Sequence, residues 1–482
     1  MLAAMPQLAS TARERDGTDT RVRPDGHGRD RGDACPGALR LHPADDGALA
    51  RVRVPAGLLT SAQARALAGT AELLGDGHID VTSRGNLQLR GLDGQKSAEL
   101  AARLDAAGLL PSPRHDRVRN VVASPLSGLD GHGHADVRPW AAQLDELLLA
   151  SDDATALSGR FLFAFDDGRG DTAGLEADVT LIALPGGREV LLRVAGTAAV
   201  LVPAEHAPDA ALLAAEAFLS AVRESGATVW RVSELPDGGE QFALRVAHRL
   251  RGGGVPVRPV AGVPPLPAAS APAPGVVEGP AGRCSLYVLA RLGRLTAEQL
   301  HRLASLSEQR GNGVDGAAKG ELRVTPWRGV VVPGLPAAEA SARLRELRDA
   351  GLVTGADSPW HGVSACTGLP GCARSHRDVR SDAALAPGPD TAASGSGAPA
   401  PEPAPEPAPA PAPAPPAETS LLPVHFSGCE RRCGRPKGDV VDVVAGGNGY
   451  TVAVQAEGST RERAVPDGEL AHAVASARAG RE

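Results

Sequence analysis

From residue 48 onward the chain alternates short β-type and helical patterns. Period-two alternation of apolar residues predicts a strand over 50–54, and 3.6-residue spacing predicts a helix over 61–74. Strands over 79–82 and 87–90 and a helix over 97–107 follow, with Gly108 as the stop. A larger α/β stretch covers 118–250, with helices over 141–149 and 210–223 among strands over 161–165, 179–183 and 190–194. Near the C-terminus, strands over 440–445 and 450–455 flank Gly446-Gly-Asn-Gly449. A strand and not a helix follows these glycines, so they predict an Asn-Gly hairpin turn and not a nucleotide loop.

Three stretches lack periodicity. Residues 1–38 are polar and rich in Arg, Asp and Gly, which predicts a disordered arm. The Pro- and Gly-rich 252–280 reads as a linker, and 382–420, almost wholly Pro, Ala, Ser, Gly and Glu, as a disordered insertion. The expected units are therefore 39–115, 116–251, 281–355 and 356–482.

The second half repeats the first. Val81-Thr-Ser-Arg-Gly-Asn-Leu-Gln-Leu-Arg-Gly-Leu92 aligns with Val324-Thr-Pro-Trp-Arg-Gly-Val-Val-Val-Pro-Gly-Leu335, and at the same offset Leu104-Asp-Ala-Ala-Gly-Leu109 aligns with Leu347-Arg-Asp-Ala-Gly-Leu352. Duplication and fusion is the simplest account. One residue away from that offset, Ser124 falls opposite Cys366, so thiol chemistry belongs to one half only.

Composition narrows the function. A formal charge of −7 over 482 residues argues against bulk nucleic-acid binding, and 2% aromatic content removes base-stacking platforms. No apolar run is long enough to span a bilayer, and the N-terminus has no hydrophobic stretch of signal-peptide type, so a cytoplasmic protein is expected. Cys366 and Cys372 frame a loop containing Gly368, Pro370 and Gly371, while Cys429 and Cys433 are four residues apart, a spacing that one helical turn places on one face. Four thiolates in such pairs suit an iron–sulfur cluster. A zinc site, two disulfides or unrelated thiols stay open, although the first gap is long for a zinc knuckle. Cys35 stands outside the set, and Cys284, beside the strand-like run 285–290, reads as a small core residue.

The cysteine pairs, the repeat and Thr82-Ser-Arg-Gly-Asn-Leu-Gln resemble the siroheme-type nitrite and sulfite reductase superfamily. Within it the chain is most similar to the precorrin-3B synthase family of aerobic cobalamin biosynthesis. The residues that carry this are Ala34-Cys-Pro-Gly37, Arg160-Phe-Leu-Phe-Ala-Phe-Asp-Asp-Gly168, Val324-Thr-Pro-Trp-Arg-Gly329 and the two cysteine motifs. The resemblance implies an α+β fold with two ferredoxin-like half-domains and two α/β domains related by a pseudo-twofold. It implies a [4Fe–4S] cluster on Cys366, Cys372, Cys429 and Cys433, with a mononuclear non-haem iron besides. It further implies precorrin-3A and dioxygen as substrates, hydroxylation at C20 with γ-lactone closure, and NADH as the indirect source of electrons. No Gly-rich strand-to-helix signature marks a dinucleotide site, so a separate reductase is the expected partner.

By the same resemblance Arg84, Arg119 and Arg160, with Arg328 from the repeat copy, are the candidate ligands of tetrapyrrole carboxylates, a task that suits the permanently charged guanidinium fork. Reductases of the superfamily carry a basic residue where this chain has Leu162, and a small residue and a lysine where it has Glu430-Arg-Arg432. The first departure favours a tetrapyrrole-modifying enzyme over the alternative, a siroheme-dependent sulfite or nitrite reductase; a non-catalytic iron–sulfur carrier is the third reading. His132-Gly-His134 with Asp136 has the residue types of an iron site, but also those of a solvated loop. His361, His376 and His425 flank the cysteine motifs and read as supporting residues.

Overall fold

The computed structural model describes residues 33, 35–194, 198–236, 239–260, 271–309, 320–386, 421–436, 438–456 and 458–480. Most of the predicted arm and residues 387–420 of the predicted insertion lie outside these. The folded body begins at Cys35. Its first α+β unit contains β1 (His42–Ala44), β2 (Gly47–Val52), β3 (Leu58–Thr60), α1 (Ser61–Leu74), β4 (His78–Val81), β5 (Leu87–Leu92) and α2 (Ser97–Ala106). An α/β domain follows, with β6 (Val121–Ala123), α3 (Arg138–Ala150), β7 (Phe163–Asp166), β8 (Val179–Ala183), β9 (Glu189–Val194), β10 (Ala198–Pro203), α4 (Ala207–Ser225), α5 (Glu240–Gly252) and β11 (Arg258–Pro259).

The second half runs through the same series. Its α+β unit comprises β12 (Gly275–Glu278), β13 (Arg283–Leu289), β14 (Arg294–Thr296), α6 (Ala297–Glu308), β15 (Glu321–Val324), β16 (Gly329–Pro336) and α7 (Ala340–Asp349). Its α/β domain comprises β17 (Val363–Ala365), α8 (Val379–Asp382), β18 (Val424–Ser427), β19 (Val440–Gly446), β20 (Gly449–Ala456), β21 (Ser459–Val465) and α9 (Leu470–Arg478). In both α/β sheets three parallel strands, β6-β7-β8 and β17-β18-β19, are extended by antiparallel neighbours. Gly446 pairs with Gly449, the hairpin that the Asn-Gly signal predicts.

The α+β units exchange a strand. Sheet order is β1-β2-β5-β4-β14 in one and β12-β13-β16-β15-β3 in the other, so β3 pairs with β15 and β14 with β4. The two crossings are built alike. Ala56-Gly57 and Leu292-Gly293 all have positive φ, and each exchanged strand ends in a threonine that opens a capping box, Thr60 with Gln63 and Thr296 with Gln299. A side chain on Gly57 would collide with the Val324 carbonyl, which is how closely the strands cross. Helices α1 and α6 then pack together, and one core takes Leu59, Leu67 and Ile79 from the first half and Leu295, Leu303 and Leu322 from the second. Cys284 is buried in the same core, where burial raises its thiol pKa.

Units 39–115 and 281–355 each complete their sheet with a strand from the other. Three boundaries differ from expectation. The expected linker 252–280 contains β11 and β12, which pair with β10 and β13. Residues 382–386 close α8 and its following turn and do not begin the insertion. At the end of the predicted arm, Gly37 and Ala38 are buried, and the Ala38 and Leu39 amides donate to Asp116 (3.1 and 3.0 Å).

Leu59 lies on an exchanged strand and its side chain fills the shared core. Leu59→Ala is expected to cost roughly 2–5 kcal/mol and to lower the urea midpoint of both α+β units together. Unfolding of residues 42–107 without 277–350, followed by hydrogen exchange, would contradict the shared core.

Candidate functional site

Two adjacent parallel strands each run into a cysteine. Cys366 follows β17, and its amide donates to the Phe426 carbonyl of β18 (2.9 Å); Cys429 follows β18, and the amide of Gly428 donates to Cys366 Sγ (3.2 Å). An N–H aimed at a ligand sulfur is the kind of contact that tunes a thiolate centre. The Cys433 thiol is pushed up by burial and by the charges of Cys366, Cys429 and Cys372, with Arg431 opposing, so the structure brings all four thiols within electrostatic reach. Among the described residues no three His, Cys, Asp or Glu side chains form a group that could hold a single metal ion. Four soft thiolates with a backbone donor suit an iron–sulfur core.

Residues distant in sequence fix both cysteine loops. The Gly371 carbonyl accepts from Arg90 Nη2 (2.9 Å), a guanidinium also held by both oxygens of Asp46, and the Ala373 amide donates to Asp45. Strand β5 and the β1–β2 turn thus clamp the first loop. In the second, Arg432 Nε and Arg435 Nε stand 3.1 and 3.2 Å from the fully buried Asp442 of β19. This accounts for the unusual Glu430-Arg-Arg432 run: Arg432 anchors the loop. Arg328, itself at φ 61°, donates to the Gly434 carbonyl (2.8 Å). His425 is buried between the loops, with Nδ1 against Ser364 Oγ (2.9 Å) and Nε2 against the Cys433 carbonyl (3.2 Å). Burial, Arg328 and Arg435 lower its pKa to about 3, so the ring is neutral, and the carbonyl, which can only accept, places the proton on Nε2.

The first half repeats this geometry without sulfur. The Ser124 amide donates to Phe165 O (3.0 Å) and the Asp167 amide donates to Ser124 Oγ (3.1 Å), the counterparts of the two bonds around Cys366. Counting onward puts Asp130, Gly168 and Thr172 where the second half has Cys372, Cys429 and Cys433. A guanidinium occupies this place. Arg169 bonds both oxygens of Asp130 (2.8 and 3.0 Å) and both of Asp167 (2.8–3.0 Å), with Asp171 4.0 Å away. His132, His134 and Asp136 do not assemble into an iron site: the histidines are exposed, His134 packs on Gly168, and Asp136 is bonded to Arg138.

A cationic wall lies beside the Thr82-Ser-Arg-Gly-Asn turn. Asn86 bonds the Val54 amide and Asn120, and Asn120 donates to the Gly159 carbonyl (2.7 Å). Onto the same carbonyl come Arg53 Nη2 (3.4 Å) and Arg84 Nη1 (3.5 Å), the latter also bonding Arg160 O (3.0 Å). The Arg51 side chain bonds the amide oxygen of Gln88 (3.1 Å). Among the described residues the side-chain hydrogen-bond partners of Arg51, Arg53 and Arg84 are thus carbonyl and amide oxygens, with no carboxylate among them. Burial, reinforced by Arg51 and Arg84, lowers Arg53 to about 9; burial and Arg231 lower Arg84. Arg160 stacks on Trp230 at 4.4 Å with its side chain exposed.

The candidate arginines therefore separate. Arg84 and Arg160 share this wall, and Arg328 holds the second cysteine loop. Arg119 is withdrawn from the set: its Nε and Nη2 are bonded to Asp145 (2.7 and 2.6 Å) and the residue is 7% exposed, so its fork is satisfied inside the protein. Arg51 and Arg53 escaped the sequence reading, although Arg-Val-Arg on a strand places two charges on one face. Leu162 is buried among Val122, Ala164 and Ala177.

Asp171 accepts from Ser124 Oγ (2.5 Å), and burial with the charges of Asp166 and Asp167 raises its pKa to about 7. The folded state therefore keeps a proton that the unfolded chain releases near pH 4. Its contribution to stability falls as pH rises from about 4 to about 7. Thermal midpoints of wild type minus Asp171→Asn should decline across that window and then level off; a flat difference would rule out the retained proton.

The sequence profile of the Nitrite/Sulfite reductase ferredoxin-like half domain matches residues 42–107 and 277–350, the two strand-exchanging units. The chain is 26% identical to a precorrin-3B synthase of Sinorhizobium sp over 426 residues, which is 87% of this chain and 82% of that one. It is 29% identical to a ferredoxin–nitrite reductase of Synechococcus elongatus over 340 residues, 62% of this chain and 61% of the relative, so that match spans less than two thirds of the reductase. The structure of the Mycobacterium tuberculosis NirA protein superposes with a TM-score of 0.64 at 20% identity, covering 88% of this chain and 79% of the other, and shares the fold. The chain thus carries the nitrite/sulfite reductase ferredoxin-like half-domain in both of its halves and is similar to a precorrin-3B synthase over most of its length.

Proposed function

We propose that the protein is an oxygen-dependent oxidoreductase of cobalamin biosynthesis that carries out the precorrin-3B synthase reaction. Precorrin-3A is hydroxylated at C20 and closed to a γ-lactone, with one oxygen atom of O2 entering the product and the other leaving as water. The observation that carries the reading is the wall of Arg51, Arg53 and Arg84, three guanidiniums that among the described residues have no carboxylate partner in hydrogen-bond reach. Like charges held together with some desolvation weaken the fold unless an anion arrives, and a macrocycle bearing several carboxylates supplies that anion. Arg160, exposed and stiffened by Trp230, extends the wall toward a further carboxylate. Buried Leu162 offers no proton donor where reductases of the superfamily carry a basic residue, which speaks for macrocycle hydroxylation over sulfite or nitrite reduction.

Cys366, Cys372, Cys429 and Cys433 would hold the [4Fe–4S] cluster, which supplies one-electron transfer when bound. A separate reductase would bring electrons from NADH to the exposed edge around Cys433. The ligands of a mononuclear iron are not assigned to any residue. Among the described residues no helix is long and apolar enough to cross a membrane.

Anaerobically prepared protein is expected to contain about four irons per chain beyond any mononuclear iron, with about four acid-labile sulfides. Cys429→Ser should lose them and Cys284→Ser, in the apolar core, should keep them. Equal loss in both variants would overturn the ligand assignment. With precorrin-3A, dioxygen and a reducing system, the product should gain one oxygen atom, labelled from ¹⁸O2. Arg84→Ala should weaken tetrapyrrole binding by roughly 1.5–3 kcal/mol, the scale of a charged hydrogen bond, while the cluster persists. Bound siroheme and sulfite-dependent oxidation of a reduced dye, without reaction on precorrin-3A, would replace this reading with the reductase.

A further inference from the structure

The arginine wall contains a nucleophile. Cys35 is half-buried, and the segment behind it is pinned: the Ala38 and Leu39 amides bond Asp116, and a side chain on Gly37 would overlap that carboxylate. The chain leaving Cys35 is therefore held beside the wall. Its Cβ stands against the bare face of Gly159, where an added side-chain carbon would lie 2.8 Å from Cys35 Cβ and 3.2 Å from Arg53 Nη2. Thiol and guanidinium converge on one spot, and only glycine leaves room for both. Arg53 is 2% exposed, and among the described residues its Nη1 has no hydrogen-bond partner, nor has Arg51 Nε. Unspent donors that deep are expensive, and they mark a place where an anion belongs.

We propose that Cys35 is a reactive thiolate site for small anionic electrophiles, formed by the guanidiniums of Arg51, Arg53 and Arg84. Among the described residues three guanidiniums act on Cys35. Arg51 and Arg53 approach from β2 and its end and Arg84 from the β4–β5 turn; Arg117 offers Arg53 its backbone carbonyl (3.2 Å). The carboxylates nearby are already engaged, Asp116 by the two amides and Asp178 by Arg231 at 2.6 Å. The thiolate raises the pKa of each of the three arginines, and by linkage each of them favours the thiolate. A thiolate is the nucleophilic form, and a field of three positive charges concentrates negatively charged reagents. None of this depends on the identity of the macrocycle.

The probes are iodoacetate and iodoacetamide, applied to the full chain between pH 6 and pH 10.5, with the extent of labelling at Cys35 read by peptide mapping. In both reactions the thiolate sulfur attacks the methylene carbon, a C–S bond forms, and iodide leaves with the C–I electron pair. The labelling midpoint is expected at least about one pH unit below the ordinary thiol value of about 8.5. The rate ratio of iodoacetate to iodoacetamide should exceed severalfold that of a free peptide spanning residues 33–38, and added salt should lower it. Arg51→Gln and Arg84→Gln should reduce labelling at pH 6.5 severalfold and leave it unchanged above pH 10, where any accessible thiol is ionised. An ordinary midpoint with a peptide-like ratio would overturn the proposal, as would a folded protein unlabelled at Cys35 at pH 10. The wild-type profile decides even where a variant does not fold.

Discussion

The exchange of β3 and β14 is the constraint on which the remaining structure depends. Each of these strands is three residues long and completes the sheet of the opposite half. Neither sheet can bury its apolar face without the other half, so Leu59, Leu295 and the paired helices α1 and α6 settle in a common core. Symmetry follows from this, since two similar units exchanging equivalent strands are related by an approximate twofold. The α/β domains are then held at fixed places. Arg323 of β15, almost fully buried, reaches the Pro125 and Ser127 carbonyls in the first domain (2.8 Å each), and Asp80 of β4 meets Arg380 in the second (3.3 Å).

Duplication on this frame yields two sites of opposite chemistry at equivalent positions. Both are made by two parallel strands that end side by side, and both use the same pair of backbone bonds. In one half the positions carry thiols. In the other they carry Ser124, Asp130, Gly168 and Thr172, and Arg169 with its aspartates fills the space. A guanidinium tied to two carboxylates is bulky, directional and held by paired charges, so it fills this place as packing material. The cluster-type half has no such internal filling. Its loops are held from outside by Arg90, Arg328 and Asp442, which leaves their centre to the thiols.

Electrostatics separates structural arginines from those that await a ligand. Arg119, Arg169 and Arg90 all end on carboxylates and are satisfied. Arg51, Arg53 and Arg84 end on neutral oxygens, and their pKa values are lowered by burial. A guanidinium loses solvation on burial whether or not a partner waits, so the missing carboxylate is informative. Cys35 occupies the anionic place within this wall on a small scale, as a macrocycle's carboxylates would on a larger one.

Much of this was legible in the chain itself. Helix 61–74 follows from apolar periodicity, because it has one face to bury, and strand 179–183 from a short apolar run buried on both faces. The pairing of Ser124 with Cys366 also follows from sequence offset, and the hydrogen bonds around the two residues agree with it. The exchanged strands could not be read, since three residues carry no period and their partners lie more than two hundred positions away. Nor could the fate of individual arginines. Arg84 and Arg119 look alike as arginines in loops beside a strand, yet Asp145 on a distant helix turns the second inward, while Gly159 leaves the first facing Cys35 and Arg53. Local pattern fixes which face of an element is apolar. Only the tertiary structure decides which charges meet a partner, because a side chain's counter-ion is set by what packs across from it and not by what precedes it in the chain.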